Sequence, residues 1–456
     1  MAQPTTRLEV SGHRFMARRM DHALVRGDTR MLDDPLRAQS LSLVAGAVLA
    51  VIGVAVCAVL AFIRPGGEVG DAPIVVVRES GAMFVSVEDM LHPVFNLASA
   101  RLIVGQAAQP RVVSQRAVDR VERGPMMGIP VAPDQISTPL AAEDAHWLVC
   151  DDQDGSTSVI AGPVTPDGVG PGRSVLVTPR GESAAITYLL YGGWRARVDL
   201  RHAAVVRALR IDGVVPQPVS PSVLAAIPEA PAIEPPRIAE LGTAGIVGDH
   251  PVGTVLRSGD DLFVVLVDGL QRIGQVAADL IRYTDARAGA EIPTLSGDAV
   301  GAVPVVTTLP VTTYPQSAGV TTEPVICAQW DHDVTEGRSH TRVLVGEQIP
   351  RVAASVVLAQ ADGEGPAVDS VAVPTGRSVF VRSVALTGDG RTSGSLFLVA
   401  DTGVRYGIRD DESAAALGLA DVPAPAPWPV LAVLPRGPEL SRGGASVVRD
   451  GLDAAP

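Results

Sequence analysis

The chain contains no lysine: all 37 of its basic residues are arginine. That single absence excludes a Walker-type phosphate loop, a Schiff-base lysine and a kinase-type lysine. Aromatic residues are only 4%, too few for a surface that stacks on nucleic-acid bases. The net charge is −13, the wrong sign for a phosphate-backbone binder. There are three cysteines and no C-x-x-C pair, so thioredoxin-like redox chemistry has no motif. Nucleophile elbows of the form G-x-S-x-G are missing. Gly172-Arg173-Ser174 and Gly376-Arg377-Ser378 come nearest, and both lack the closing glycine.

What is present suits a mostly β-structured chain with a membrane segment. Its 456 residues allow two to four folding units, and 46% hydrophobic content is enough to build cores. Glycine (46) and proline (37) exceed the ordinary share of about 12% and favour short strands and turns. Leu41 to Ile63 is a run of 23 uncharged residues. As a helix it spans roughly 34 Å, more than the bilayer's apolar core of about 30 Å. It is longer than a signal-peptide core and follows 40 polar residues, which favours a retained span over a cleaved leader. A lipoprotein reading of Cys57 fails because Val56 stands where a small residue is needed.

Residues 1–40 hold seven arginines against five acids, and residues 64–456 hold 30 against 45. Retention of arginine on the cytoplasmic side puts the N-terminus inside and the acidic remainder outside. In the inner arm a helix from a Ser11 cap to about Met31 is expected. Met16, Met20, Leu24, Gly27 and Met31 would share one face, with Arg14, Arg18, Arg26 and Arg30 on the next row. Such a face suits docking on a membrane surface or a partner.

Cys57 lies inside the apolar run and is expected to pack as a small hydrophobe. Cys150 and Cys327 lie in the outer part, where an oxidising compartment favours pairing. The outer part is self-similar. Tyr188–Tyr191, Phe263–Val267 and Phe397–Ala400 read as strands. Each leads through a glycine turn (Gly193, Gly269, Gly403) into a second short strand and then a helical stretch: Leu200–Leu209, Val276–Tyr283 and Ser413–Leu417. A looser copy starts at Ile74–Val77, turns at Gly81 and leads to Leu97–Val104 with Gly105 as its stop. The glycine spacings are irregular, which excludes a fixed-period solenoid. Residues 139–183 and 301–390 read as β-strands and carry the two outer cysteines, so a bridge would join them.

The expected fold class is α+β: one N-terminal transmembrane helix and an elongated extracytoplasmic region of four small ββα-like modules around a central β domain. The expected segments are an arm (1–40), a span (41–63), module one (64–138) and a first central part (139–183). Modules two (184–232) and three (233–300), a second central part (301–390), module four (391–440) and a disordered tail (441–456) follow. Proline-dense stretches at 216–236 and 423–438 read as linkers or extended edges.

Catalytic candidates are few. Asp331-His332-Asp333 with Glu336 and His340 is the only histidine–carboxylate cluster, and it reads better as a polar hairpin than as a metal site. Asp151-Asp152-Gln153-Asp154-Gly155 resembles half a calcium loop. An EF-type register would put Cys150 first and Ala161 twelfth, so a β-turn is the better account. No cofactor, metal or catalytic residue is expected.

Several segments together resemble a known family. They are Ser11-Gly12-His13-Arg14-Phe15, Arg18-Arg19-Met20-Asp21-His22-Ala23-Leu24-Val25-Arg26 and Met31 to Gln39, then one span running into Arg64-Pro65-Gly66. Pro93-Val94-Phe95-Asn96-Leu97-Ala98-Ser99-Ala100-Arg101-Leu102 and the two outer cysteines follow. The combination is similar to the EccB family, a core membrane component of the type VII (ESX) secretion system. The resemblance implies an inner-membrane, single-pass protein working with EccC, EccD and EccE. EccC is the motor ATPase, and periplasmic domains of EccB gather round the central axis. Some family members carry an ATPase label, and no nucleotide-binding motif stands here to receive it. The competing reading is a membrane-anchored hydrolase, which needs convergent polar groups in a pocket. On the scaffold reading the outer part, residues 72–440, does not turn over ATP. A steady phosphate-release rate abolished by one point substitution would overturn that.

Overall fold

The computed structural model describes residues 6–27, 35–63, 69–164, 168–171, 174–181, 186–285, 291–333, 336–350, 355–387, 394–419 and 422–450. Helix α1 is Arg7–Arg26, so it starts earlier and stops earlier than the Ser11-to-Met31 expectation. The start is set by Thr6 and Glu9: the Glu9 carboxylate accepts the Thr6 backbone N–H at 2.9 Å. With that upstream box in place, Ser11 is an interior helical residue. The stop is Gly27, whose positive φ of 67° lets its N–H reach the Ala23 carbonyl at 2.9 Å. Arg30 and Met31 lie outside the described residues. Helix α2 is Pro35–Ile63, with proline at its first position, where a missing N–H costs nothing. Within it Ser40–Val59 is long and apolar enough to cross a membrane, and none of that stretch is buried inside the chain.

The rest is rich in sheet. The central sheet has seven strands in the order Val356–Val357, Ser370–Ala372, Thr157–Ala161, Trp147–Asp151, Val325–Asp333, Arg338–Gly346, Val169–Pro171. It draws on both of the segments expected to form one β domain. At its middle, Trp147–Asp151 runs antiparallel to Val325–Asp333, with Cys150 opposite Cys327 and Trp147 opposite Trp330. The two cysteines are disulfide-bonded across 177 residues of chain. Alternation along the strands splits the side chains between two cores. Trp147, Val149, Ile326, Ala328 and Trp330 face one, and Leu148, Cys150, Val325 and Cys327 face the other.

Four further sheets each begin with three antiparallel strands, one more than the expected hairpin. The first runs Ile74–Val77, Met83–Val87, Met90–Val94 and leads to the Leu97–Val104 helix. The strand missed there contains His92 and Pro93, residues that weaken a strand pattern. In the second, Val175–Pro179 pairs with Tyr188–Tyr191 and not with the central sheet. In the fourth, Arg377–Val384 pairs with Leu396–Ala400. Both lead strands carry the same alternation as central strands, so pattern alone misassigns them, and sequence proximity to the next hairpin decides their partner. In the third, Val255–Ser258, Asp261–Val265 and Leu270–Ile273 precede the Gln275–Thr284 helix.

The four sheets share cores in pairs. Residues of the second and third form one cluster, from Leu176 and Leu189 to Val264 and Leu280. Residues of the first and fourth form another, from Ile74 and Leu102 to Phe380 and Leu417. Arg101 donates to the Leu417 carbonyl across that seam at 2.9 Å. The expected disordered tail is ordered to residue 450 in the described chain. Ser441 caps a short Arg442–Ala445 helix, and Val448–Arg449 pairs with Met126–Met127 of the first sheet. Burial of Leu440 and Ala445 holds that return in place. Residues 451–456 lie outside the described chain.

Replacing both Cys150 and Cys327 by alanine is expected to lower unfolding stability by about 2–5 kcal/mol, since the bond closes a long loop. Chemical denaturation of the full chain in detergent, with and without reductant, checks this. Equal stability of the reduced and oxidised protein would contradict it.

Candidate functional site

Three places were open from the sequence: the arm, the histidine–carboxylate cluster and the Asp151 turn. On α1, Arg14, Met16, Arg18, Met20 and Leu24 are all exposed, as are Leu8, Phe15 and Val25. His22 is the buried residue of this helix. The side chain of Arg26 is outside the described set. The helix therefore carries an apolar stripe and an arginine row that nothing in the described chain covers.

The histidine–carboxylate cluster straddles the long central hairpin of Val325–Asp333 and Arg338–Gly346. Asp331 sits opposite His340, and His332 opposite Ser339. Asp331, Asp333 and His340 thus share one face of the hairpin, and His332 lies on the other. Asp331 accepts from His146 Nδ1 at 2.8 Å and from the Arg342 guanidinium at 2.5 Å. His332 lies 3.2 Å from the Ser339 hydroxyl and stacks on Trp330 at 6.1 Å. The adjoining cavity is about 780 Å³ and open. Among the described residues no three such side chains are placed to share a metal ion. The hydrogen bond to Asp331 raises the His146 pKa above its ordinary value, against the opposing effect of burial. Burial pushes the Asp331 carboxyl up, yet the bonds from His146 and Arg342 outweigh it and hold it low.

The Asp152–Gly155 segment is a turn: Gly155 N–H reaches the Asp152 carbonyl and Ser156 N–H the Asp152 carboxylate. Sequence reasoning read Asp151, one residue earlier, as part of this turn and missed its anchoring role. Its buried carboxylate accepts from the Thr157 hydroxyl at 2.8 Å, from the Ser220 hydroxyl at 2.8 Å and from the Ser220 backbone N–H. Arg180 closes the cluster 3.1 Å away and also donates to Thr157 at 3.0 Å. Burial drives the Asp151 carboxyl up, while those donors pull the other way. Arg180 and Ser220 directly follow two strands of the second sheet, Val175–Pro179 and Gln217–Val219. The cluster thus pins the second sheet to the disulfide-bearing strand. An acid at the end of a buried apolar strand was the available signal. It pointed to an anchor and not to chemistry.

The chain matches the family model described as "Type VII secretion system ESX-1, transport TM domain B" over residues 2–454. A Mycolicibacterium smegmatis protein named ESX-3 secretion system ATPase EccB3 is 39% identical over 99% of this chain and 92% of its own. The Mycobacterium tuberculosis protein of the same name is 36% identical over 98% and 90%. Among solved structures, a chain of an intact ESX-5 inner membrane complex superposes with a TM-score of 0.72 at 31% identity, covering 100% of this chain and 98% of that one. A chain of the EccB3 dimer from the ESX-3 core complex gives 0.72 at 35% identity, covering 82% and 100%.

His146 binds its proton more tightly in the folded chain than in the unfolded one. The stabilisation it gives is complete below about pH 6.5 and fades as pH rises through the raised value. The stability advantage of the wild type over His146→Asn is therefore expected to shrink as pH rises from about 6.5 in urea titrations. An advantage that stays constant or grows as pH rises would contradict the pair.

Proposed function

The chain belongs to the EccB family of the type VII (ESX) secretion system, and on that premise we propose that it is a structural and assembly subunit of an ESX inner membrane complex. The observation that carries this reading is one uncovered apolar helix joining a basic, exposed arm to a sheet-rich body tied by a disulfide. Helix α2 crosses the inner membrane once. The arginine excess of the arm holds it in the cytoplasm, and the body stands in the periplasm. Oxidation of Cys150 and Cys327 fits that compartment.

The arm is the docking element. Met16, Met20 and Leu24 give the apolar face and Arg14 and Arg18 the charged row, with Arg26, Arg30 and Met31 counted in the docking segment on sequence alone. EccC-like, EccD-like and EccE-like membrane subunits are the neighbours it engages. A second copy of the chain is a further neighbour, as in the relative solved as a dimer.

The body is four copies of one unit around the central sheet. In each of the four sheets a three-stranded meander is followed by a helix. A short segment then lies parallel to the first strand: Arg111–Val113, Gln217–Val219, Thr294 and Ala424–Pro427. A second short helix follows, from Gln115, Pro221, Gly297 or Trp428. Another segment lies parallel to the third strand: Met127, Glu229–Ile233, Val305 and Arg436. Recurrence of this order supports a repeated unit of about 55 residues, longer than the ββα element and with its lead strand included. Modules of this size, each packed on a neighbour, make extended contact surfaces.

Deleting residues 11–32 is expected to leave membrane insertion intact and to release the other subunits during purification in mild detergent. Unchanged co-purification of the EccC-like and EccD-like subunits would contradict the docking role.

A further inference from the structure

Arg405 has an unusual setting. It sits on the Arg405–Ile408 strand of the fourth sheet and is 8% exposed. Its guanidinium lies over two aromatic rings, 5.1 Å from the centre of Phe397 and 5.0 Å from that of Trp428. The two rings are 5.8 Å apart and tilted by 33°. Aromatic faces attract a guanidinium but do not neutralise it or accept its N–H groups in plane. Its Nε has no hydrogen-bond partner. Among the described residues no carboxylate pairs with its side chain. A buried cation left in that state is costly unless something else completes it.

The side chain opens onto a cavity of about 480 Å³. Arg409 and Arg436 line the same cavity, and Glu439 is the acid among its walls. Glu439 is engaged by Arg409, at 3.2 Å on an exposed rim. Three guanidinium groups against one carboxylate leave two positive charges facing the space. Desolvation, reinforced by Arg436, lowers the Arg405 pKa below its ordinary value, the sign of an unrelieved positive site. Trp428 is 45% exposed, and its ring offers an apolar wall beside the charged one.

We propose that this cavity binds a small soluble molecule through a phosphoryl group, with Arg405 and Arg436 on its oxygens and Trp428 against its body. A dianion matches the two uncompensated charges, whereas a lone carboxylate would leave one of them unmet. Guanidinium forks pair well with phosphoryl oxygens, and a stacked guanidinium is already oriented for that contact. Aromatic support on one side keeps Arg405 from turning away to water, so little ordering is needed on binding. The claim concerns binding and includes no bond cleavage. It stands apart from the scaffold reading, since a filled or empty cavity leaves membrane assembly unaddressed.

Isothermal titration of the full chain in detergent with inorganic pyrophosphate tests it, at ionic strength held constant. Saturable binding is expected, weakened at least about tenfold in Arg436→Gln, an exposed position where folding is not at stake. Arg201→Gln is the control. That side chain is 93% exposed and pairs with Asp199 elsewhere, and its loss should leave the affinity unchanged. Absence of saturable binding, an Arg436→Gln protein equal to wild type, or equal competition by acetate would each overturn the proposal. Arg405→Gln is a second variant, read only if its thermal unfolding matches wild type. Retained affinity in that folded variant would also overturn the proposal.

Discussion

The sheet-rich body rests on one pairing, that of Trp147–Asp151 with Val325–Asp333. The strands lie 177 residues apart at their cysteines, so the chain must complete a long excursion before they meet. Loop closure of that length is costly in entropy, and the buried ladder with its two tryptophans and its covalent bond offsets it. The excursion contains the second and third sheets. Those sheets fold on each other, through a common core and through Arg207 lying over Tyr283 at 4.5 Å. The first and fourth sheets, at the two ends of the outer chain, fold on each other in the same way. The central sheet stands between the pairs and shares a core with the second and fourth sheets. The Asp151–Arg180–Ser220 cluster fixes the angle of one pair to it. Removing any one partner would strand a buried charge or donor, which makes that junction more selective than an apolar contact of the same size.

Much of this was legible because it rests on local chemistry. An uncharged run of 23 residues can do little but cross lipid or hide in a core, and the Ser40–Val59 stretch that overlaps it is unburied. Glycine turns at Gly193, Gly269 and Gly403 marked three hairpins, and Gly105 marked a helix end through its left-handed backbone. The pairing of Cys150 and Cys327 followed from compartment alone. Other features depend on partners far along the chain. Val175–Pro179 and Arg377–Val384 look like central strands and are not, because alternation states that a strand is half-buried but not against what. Pro93, Pro218 and Pro425 disguise strands whose N–H groups are only partly needed. The arm helix begins at Thr6 because a T-x-x-E box lies one turn before the serine that drew attention. Asp151 was read with the turn after it instead of the strand before it. The ordered return at 441–449 carries few residues, and its burial depends on a surface built by the first sheet.

The candidate site divides along the same line. Composition excluded lysine chemistry outright, and the histidine–carboxylate run proved to be split across the two faces of a hairpin. Arg405 could not be found by motif. Its character comes from Phe397 and Trp428, one on the neighbouring strand and one on a short helix after a proline-rich edge. A cation between rings is a feature of assembled geometry, invisible in the spacing of its parts.

The account stands or falls on a single helix carrying a basic arm on one side of the membrane and a contact-making body on the other. Site-directed labelling reads this directly. In a Cys57→Ala background, Ser11→Cys reports the arm and Asp260→Cys reports an exposed hairpin of the body. With a membrane-impermeant maleimide on intact spheroplasts, position 260 should be modified and position 11 protected until the membrane is opened. Modification of position 11 with protection of position 260 would invert the chain and contradict the account.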